Sequence, residues 1–253
     1  MFGLLSNVRN AILSSGLPKL ITFDAYKTVI CLKGGSSVNV YKSLVQDRFN
    51  IQVDAAKLAK QYTKCMGDMK NELPCYGLAK GYSVKQWWRL FAYRVFETTI
   101  PDTHVRCEVA TFLTEELRDA QQWKLIEGIS ELLEIIRREN IMIGVVSNCD
   151  DRLPGILEEL GIRGYFRFVD TSFSTLLEKP NQQIFSRALE RSKVKTSETN
   201  QVVHIGDQIL EDYIAPRRAG IRSILISKSP VHRNLTDRFD SISDLVKSEK
   251  VYV

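Results

Sequence analysis

The stretch KLITFDAYKTVICL, residues 19–32, decides the interpretation of the chain. Its apolar run LITF (20–23) ends on a carboxylate, Asp24, after which the chain turns polar. Continuous apolar runs without alternation are typical of strands that are covered on both faces, as in parallel sheets. We therefore predict a buried strand over 20–23 that places Asp24 at its carboxyl end. Two residues later, where a second carboxylate would complete an acid–base pair, the sequence has Tyr26.

Further apolar runs of the same kind follow downstream and alternate with helical segments. The predicted strands are IMIGVV (141–146), YFRFV (165–169), QVVHI (201–205) and SILI (223–226). Among the helices between them, SELLEIIRREN (130–140) has Ser130 as its predicted N-cap. A β-α-β-α order is typical of helices packed on both faces of a parallel sheet. The sequence thus predicts an α/β fold with a doubly wound, Rossmann-like parallel sheet.

Between the first and second of these strands the pattern becomes helical. Four amphipathic segments fill the interval: VNVYKSLVQDRF (38–49), VDAAKLAKQYTKCMGDMKN (53–71), SVKQWWRLFAYRVFETT (83–99) and VRCEVATFLTEELRDA (105–120). Such segments predict a small helical bundle. Because it leaves the chain at the carboxyl end of the first strand, where open α/β sheets bind ligands, we interpret it as a cap. The predicted domains are a core of 1–31 and 123–253 and a four-helix cap of 32–122.

Composition and charge narrow the class of protein. Of 253 residues, 44% are hydrophobic and 26% are charged, and the formal net charge of +5 is spread without a long basic block. This argues against nucleic-acid binding, and no apolar run has the length of a membrane span. The three histidines have no zinc-ligand spacing with the five cysteines, whose odd number and scattered positions predict reduced thiols in an intracellular protein.

The N-terminal segment leaves two interpretations open. The first 23 residues contain no Asp or Glu, and FGLLSNVRNAIL (2–13) is amphipathic at helical spacing. A mitochondrial presequence is one interpretation, but a single Arg in the helical part supports it weakly. A surface helix before the first strand, in a cytoplasmic protein, is the interpretation we prefer. The oligomeric state is open.

Polar residues follow the predicted strands at the end where parallel strands converge. They are Asp24, the pair Ser147 and Asn148, Lys179, and Asp207. An aspartate can act as a nucleophile that accepts a phosphoryl group, and two carboxylates suit Mg²⁺. A hydroxyl, an amide and an ammonium can bind phosphoryl oxygens. Each residue alone is more typical of a turn, a helix cap or a solvated surface, so the prediction rests on their common position at one edge of the sheet.

Four short motifs carry a resemblance to a known family. DAYKT (24–28), VVSN (145–148), KPNQQIF (179–185) and IGDQILED (205–212) resemble, in order, the four motifs of the haloacid dehalogenase-like superfamily of hydrolases. The helical insertion is similar to the four-helix cap of that superfamily. The resemblance covers roughly residues 19 to 227 and implies a hydrolase that acts on a small phosphorylated substrate with Mg²⁺ as its cofactor.

The resemblance also implies a role for each matching position. Asp24 would be the nucleophile, assisted in catalysis by Ser147 and Lys179. The implied phosphate-binding residues are Thr28, Ser147, Asn148 and Lys179. The implied metal ligands are Asp24, the backbone carbonyl of Tyr26, and Asp207, with Asp212 in support.

Tyr26 departs from the pattern of the superfamily's phosphatases, which usually carry an aspartate there as general acid and base. A phenol titrates near pH 10, so it cannot replace that carboxylate at neutral pH without a strong perturbation. Three functions therefore remain open. They are a phosphohydrolase, slow or selective for good leaving groups, a non-catalytic binding protein that keeps the fold, and a metal-free L-2-haloacid dehalogenase. Asp-Ala-Tyr resembles the dehalogenase motif, but Asp207 argues against that function because it would repel a haloacid carboxylate.

Overall fold

The structure, a computed structural model, describes residues 17–118 and 120–248. The predicted amphipathic segment 2–13, with its two interpretations, lies outside the described residues. Within them, no helix combines the length and the hydropathy that crossing a membrane requires. The five cysteines all lie in the described part, and none of them forms a disulfide there.

The strands follow the apolar runs. They are β1 (Leu20–Phe23), β2 (Ile30–Leu32), β3 (Trp123–Leu125), β4 (Met142–Ser147), β5 (Phe168–Thr171), β6 (Val202–Gly206), β7 (Arg222–Ile226) and β8 (Arg238–Phe239). In the described part of the chain, six of them form one parallel sheet in the order β5-β4-β1-β6-β7-β8. β2 and β3 form a second, two-stranded sheet. The predicted α/β fold with a parallel sheet is confirmed.

Helices connect the strands. They are α1 (Ser37–Phe49), α2 (Ala55–Glu72), α3 (Val84–Val95), α4 (Thr103–Glu116), α5 (Ile129–Arg138), α6 (Leu153–Glu159), α7 (Ser172–Thr175), α8 (Gln183–Ser192), α9 (Ala215–Arg218) and α10 (Ile242–Lys247). Apolar side chains of α8 pack with those of neighbouring strands in a buried cluster that includes Leu20, Val146, Phe168, Phe185 and Val202. Leu20, Val146 and Val202 of this cluster belong to the strands β1, β4 and β6.

The chain forms two compact units and passes between them four times. The core unit contains residues up to 31, 125–149 and from 157 onward, and the helical unit contains 32–124 and 150–156. The sequence-based division drew boundaries only at 31/32 and 122/123. It did not include the segment 150–156 in the helical domain, because nothing in its local pattern distinguishes it from the rest of the core.

Segment 150–156 is held in the helical unit by a buried charged cluster. The Asp150 carboxylate accepts hydrogen bonds from Arg152 Nε (2.9 Å), Arg152 Nη2 (2.7 Å) and the indole nitrogen of Trp88 (2.7 Å). Arg152 Nη1 donates to the backbone oxygen of Leu117 (3.1 Å), and the guanidinium lies 5.1 Å from the Trp88 ring centroid. Bidentate pairing and three further contacts thus compensate the two buried charges.

One helix start differs from its prediction. The N-cap of α5 is Gly128, with φ 85°, and Ser130 lies inside the first turn. A β-carbon at Gly128 would also lie 3.0 Å from backbone atoms of Ser243. A positive φ and this close approach both require glycine, and these outweigh the capping preference of serine.

Gly144 provides a test of the packing of the main sheet. A β-carbon there would lie 2.4 Å from Cζ of Phe168 on the neighbouring strand. Both residues are in a filled core, so we expect Gly144→Ala to lower the free energy of unfolding by about 2 kcal/mol in urea titration. Gly155→Ala is the matched control. It lies in α6 with no described atom within 4 Å of its β-carbon position, and alanine should be neutral or stabilising there. Equal effects of the two substitutions would contradict the packing argument.

Candidate active site

Three adjacent strands carry the polar residues of the site at their carboxyl ends. Asp24 directly follows β1, Ser147 is the last residue of β4, and Asp207 directly follows β6. β1 lies between β4 and β6 in the sheet, and the three run in the same direction. Residues up to 183 positions apart in sequence therefore meet at one edge of the core unit, which is where parallel sheets bind ligands.

Asp24 is buried and oriented by two side chains. Its Oδ1 accepts a hydrogen bond from Ser147 Oγ (2.9 Å) and one from Lys179 Nζ (2.7 Å). No described residue donates a hydrogen bond to Oδ2. Burial raises the pKa of Asp24; the Lys179 charge opposes this shift, and the Asp212 charge adds to it. The result is a carboxylate with one oxygen held and the other oxygen available.

Lys179 lies fully buried between two carboxylates. Its Nζ is 2.7 Å from Asp24 Oδ1 and 2.5 Å from Asp212 Oδ1. Burial alone would lower the pKa of this ammonium, but the charges of Asp212 and Asp24 raise it above its ordinary value. Lys179 therefore stays protonated at neutral pH. It places a positive charge beside Asp24 and donates hydrogen bonds, but it does not transfer a proton.

Asp212 is held from several directions. It lies in a π-helical turn (Ile209–Ile214), and its Oδ2 accepts from the backbone N–H of Gln208 (2.9 Å). A β-carbon at Gly206 would lie 2.3 Å from Asp212 Cγ, so only glycine leaves room for this carboxylate. Burial would raise the pKa of Asp212, but Lys179 and His204 hold it far below its usual range.

Asp207 completes an acidic cluster. One carboxylate oxygen from each of Asp24, Asp207 and Asp212 lies within 4.8 Å of the others. Burial, with the charges of Asp24 and Asp212, raises the pKa of Asp207 to about 7. The three carboxylates outnumber the Lys179 ammonium that they surround, and hard oxygen donors are the ligands that Mg²⁺ prefers. The residues present therefore fit a divalent cation.

Asn148, predicted to bind phosphate, has other partners. Its Nδ2 donates to the backbone oxygen of Lys179 (2.9 Å) and to Glu211 Oε2 (3.1 Å). Its Oδ1 accepts from the backbone N–H of Lys179 (2.8 Å). Since both amide protons are already donated to protein acceptors, this side chain holds the Lys179 backbone in place, which is a role that the strand-end pattern alone does not reveal.

Thr28 and Tyr26 lie on the loop after β1. The Thr28 side chain is fully buried, and its hydroxyl has no hydrogen-bond partner among the described residues. The structure therefore does not join it to Asp24, Ser147 or Lys179. Tyr26 is half-buried, with the Lys27 ammonium 5.5 Å from its ring centroid, and it forms a β-bridge with Ile30. Its contribution as a metal ligand through the backbone carbonyl stays a prediction.

His204 is a residue of the site that the sequence analysis did not place there. It lies in the middle of β6, fully buried, and its Nε2 is 3.1 Å from Asp212 Oδ1. Burial lowers its pKa, which favours the neutral imidazole. A histidine within an otherwise apolar strand, two residues before the Gly-Asp pair, was the available signal, since a buried imidazole needs polar partners.

The fold and the acidic site are those of the haloacid dehalogenase-like class, and the chain belongs to the family of haloacid dehalogenase-like hydrolases. The model of the family Haloacid dehalogenase-like hydrolase matches residues 87–226. The chain is also similar to Haloacid dehalogenase-like hydrolase domain-containing protein 3 of Mus musculus, with 31% identity over 83% of this chain and 82% of that protein. The resemblance drawn from the four motifs is thus confirmed.

Two solved structures share the fold. One is 2-haloacid dehalogenase from Pseudomonas syringae, with a TM-score of 0.59 and 22% identity, covering 91% of this chain and 97% of that one. The other is the HAD-hydrolase YfnB from Bacillus subtilis, solved bound to magnesium, with a TM-score of 0.66 and 15% identity, covering 91% of this chain and 98% of that one. At these identities the similarity concerns the fold, and the chemistry must be argued from the residues.

Proposed function

We propose that the chain is a Mg²⁺-dependent phosphohydrolase that cleaves a small phosphorylated metabolite through an aspartyl-phosphate on Asp24. The observation that carries the proposal is the contact of Lys179 Nζ with Asp24 Oδ1 inside a cluster of three carboxylates. Such a site holds a nucleophile beside a fixed positive charge. Its carboxylates outnumber the Lys179 ammonium, and this favours binding of a cation. A phosphoryl group, with several anionic oxygens, is the substrate that needs both.

In the first step the available oxygen of Asp24 attacks phosphorus. The bond between phosphorus and the bridging oxygen of the substrate breaks, and the bridging oxygen leaves with the electron pair. Ser147 and Lys179 hold Asp24 by hydrogen bonds to Oδ1 and are close enough to stabilise charge on the transferring group. In the second step water attacks phosphorus, the bond to Asp24 breaks, and inorganic phosphate leaves with the carboxylate restored.

Asp24 and Asp207 are the residues proposed to hold Mg²⁺, with the Tyr26 carbonyl as a further ligand and Asp212 in support. A bound Mg²⁺ would supply positive charge that offsets the repulsion between these carboxylates and an anionic substrate. Asp212 supports the site mainly through Lys179, because its own oxygens already accept hydrogen bonds from Lys179, His204 and Gln208.

The tyrosine at position 26 limits which phosphate esters the enzyme can cleave efficiently. Without a carboxylic acid at this position, the leaving oxygen departs without protonation from residue 26, and general acid catalysis of this kind contributes about 10²–10⁴-fold. Esters with stable leaving groups lose least from its absence. We expect p-nitrophenyl phosphate to be turned over far faster than a simple alkyl phosphate.

Kinetic assays with Mg²⁺ test the function and the role of Tyr26 together. We expect Mg²⁺-dependent release of phosphate from p-nitrophenyl phosphate, and we expect Tyr26→Asp to raise kcat for an alkyl phosphate by about 10²-fold. Tyr26→Phe is the matched control, because it removes the phenol without adding a carboxyl group and should leave turnover nearly unchanged. A large loss in Tyr26→Phe would mean that the phenol itself takes part.

Two other experimental outcomes would favour a different function for this chain. No turnover of p-nitrophenyl phosphate or of a panel of natural phosphates, with Mg²⁺ binding retained, favours the non-catalytic protein, which the tyrosine at position 26 supports. Release of halide from an L-2-haloacid without metal favours the dehalogenase. The excess of carboxylates argues against that reaction, since Asp207 and Asp212 would repel the carboxylate of the substrate.

A further inference from the structure

His204 joins the main sheet to the charged cluster. Its Nδ1 is 2.9 Å from Thr22 Oγ1 and its Nε2 is 3.1 Å from Asp212 Oδ1. Thr22 and His204 are register partners on the adjacent strands β1 and β6, and all three residues are buried. The Phe185 ring packs against the imidazole in a T-shaped arrangement, with a centroid distance of 5.1 Å. The imidazole therefore has a partner at each nitrogen and an aromatic neighbour.

The partners determine which ring nitrogen carries the proton. The carboxylate of Asp212 can only accept, so Nε2 must donate to it. Nδ1 of the neutral ring must then accept, and the hydroxyl of Thr22 is the donor that it contacts. Asp212 thus selects the tautomer, and Thr22 supports it by donating its hydroxyl proton to Nδ1.

The hydrogen bonds continue from Asp212 to the nucleophile. Asp212 Oδ1 accepts from both His204 Nε2 and Lys179 Nζ, and the same ammonium donates to Asp24 Oδ1 at 2.7 Å. The Gln208 N–H fixes the other oxygen of Asp212. The orientation of Lys179 therefore depends on a carboxylate whose shared oxygen also accepts from the imidazole.

We propose that His204 is a positioning residue, which acts from Thr22 through Asp212 to hold the Lys179 ammonium against Asp24. The effect of His204 on turnover rests on the proposed phosphohydrolase function. The effect of His204 on the position of the Lys179 ammonium does not depend on that function. Without the imidazole donor, Lys179 is the one remaining partner of Asp212 Oδ1 among the described residues, and the carboxylate and the ammonium can shift together away from Asp24.

A pair of amide substitutions separates positioning from packing. In His204→Gln the side-chain nitrogen reaches about as far as Nε2 and can still donate to Asp212, whereas in His204→Asn it reaches only about as far as Nδ1. The first readout is the ¹H–¹⁵N signal of the Lys179 ammonium in the full-length protein, assigned by its loss in Lys179→Arg. We expect this signal to persist in wild type and His204→Gln and to shift or broaden in His204→Asn.

The second readout is kinetic. We expect His204→Asn to lower kcat for p-nitrophenyl phosphate by about 10-fold or more with KM changed less than about 3-fold, and His204→Gln to restore most of the rate. A role in packing alone would move the melting temperature without separating the two variants in either readout, and equal behaviour of Gln and Asn would overturn the proposal.

Two further outcomes keep the test decisive. If His204→Asn fails to fold, Thr22→Val removes the donor to Nδ1 at nearly constant volume. An unchanged Lys179 signal in that variant overturns the proposal, and a shifted one supports it. If wild type has no activity, the phosphohydrolase function fails, but the ammonium signal still decides whether His204 positions Lys179.

Discussion

Asp24→Asn is expected to abolish phosphate-ester hydrolysis, lowering kcat by about 10³-fold or more. The amide has nearly the shape of the carboxylate, and its oxygen can still accept from Ser147 and Lys179, so the geometry of the site should persist. What is lost is the anionic oxygen that attacks phosphorus. The measurement is the steady-state release of phosphate from p-nitrophenyl phosphate with Mg²⁺, together with trapping of the phosphorylated protein in wild type.

Stability provides the control for this substitution. Since burial raises the pKa of Asp24, the ionised carboxylate lowers the stability of the fold above its ordinary pKa. The neutral asparagine should therefore unfold at the same temperature as wild type or higher. Asp47→Asn makes the same chemical change at an exposed position and should keep full activity. Turnover by Asp24→Asn within about 10-fold of wild type would mean that another residue is the nucleophile.

Asp207→Asn should remove the response to Mg²⁺. We expect Mg²⁺-dependent turnover to fall by about 10²-fold or more, because a neutral amide oxygen is a weaker ligand than a carboxylate for a hard cation. Mg²⁺ should also raise the melting temperature of wild type through binding to the folded state, and it should have little effect on the variant.

In the absence of metal, the same substitution should stabilise the protein at high pH. The pKa of Asp207 is raised to about 7, so the folded protein keeps a proton that the unfolded chain releases near its ordinary pKa. The stability of wild type therefore falls as the pH rises from about 4 to about 7 and stays low above that, whereas asparagine does not titrate. We expect Asp207→Asn to raise the free energy of unfolding by about 4 kcal/mol at pH 8 and by little at pH 4, measured by urea titration in EDTA. A gain that is equal at both pH values would rule out titration of Asp207 as the cause.

The strand-end argument predicted which distant residues meet, and the physical reason is simple. Parallel strands that are neighbours in a sheet end at the same edge, so Asp24, Ser147 and Asp207 converge although they are far apart in sequence. The apolar runs locate five of the six described strands of the main sheet, because burial on both faces leaves a continuous pattern, but they miss the two-residue strand β8. Three of the others differ from their predicted bounds by one residue, and the strand predicted over 165–169 covers Phe168–Thr171, since Arg163–Tyr165 forms a 3₁₀ turn.

The partners of buried polar groups could not be predicted in the same way. The sequence suggests what Asn148 can donate but not that both amide protons are used by Lys179 and Glu211. It likewise shows a histidine in a strand but not the aspartate that selects its tautomer or the threonine that binds its other nitrogen. Such pairings depend on three-dimensional distances between segments, and local periodicity contains no information about them.

The cluster of Asp150, Arg152 and Trp88 limits which fragments and chimeras of this protein keep the helical unit intact. The helical unit is not one continuous insertion, because residues 150–156 return to it after the chain has already completed β4. A fragment of residues 32–124 would lack the acceptor for the Trp88 indole and the donor for the Leu117 carbonyl. A chimera that exchanges only 32–124 would keep the contacts of Asp150 and Arg152 only where the incoming helices also place a tryptophan at position 88. Transplanting the unit therefore requires two segments to be moved together.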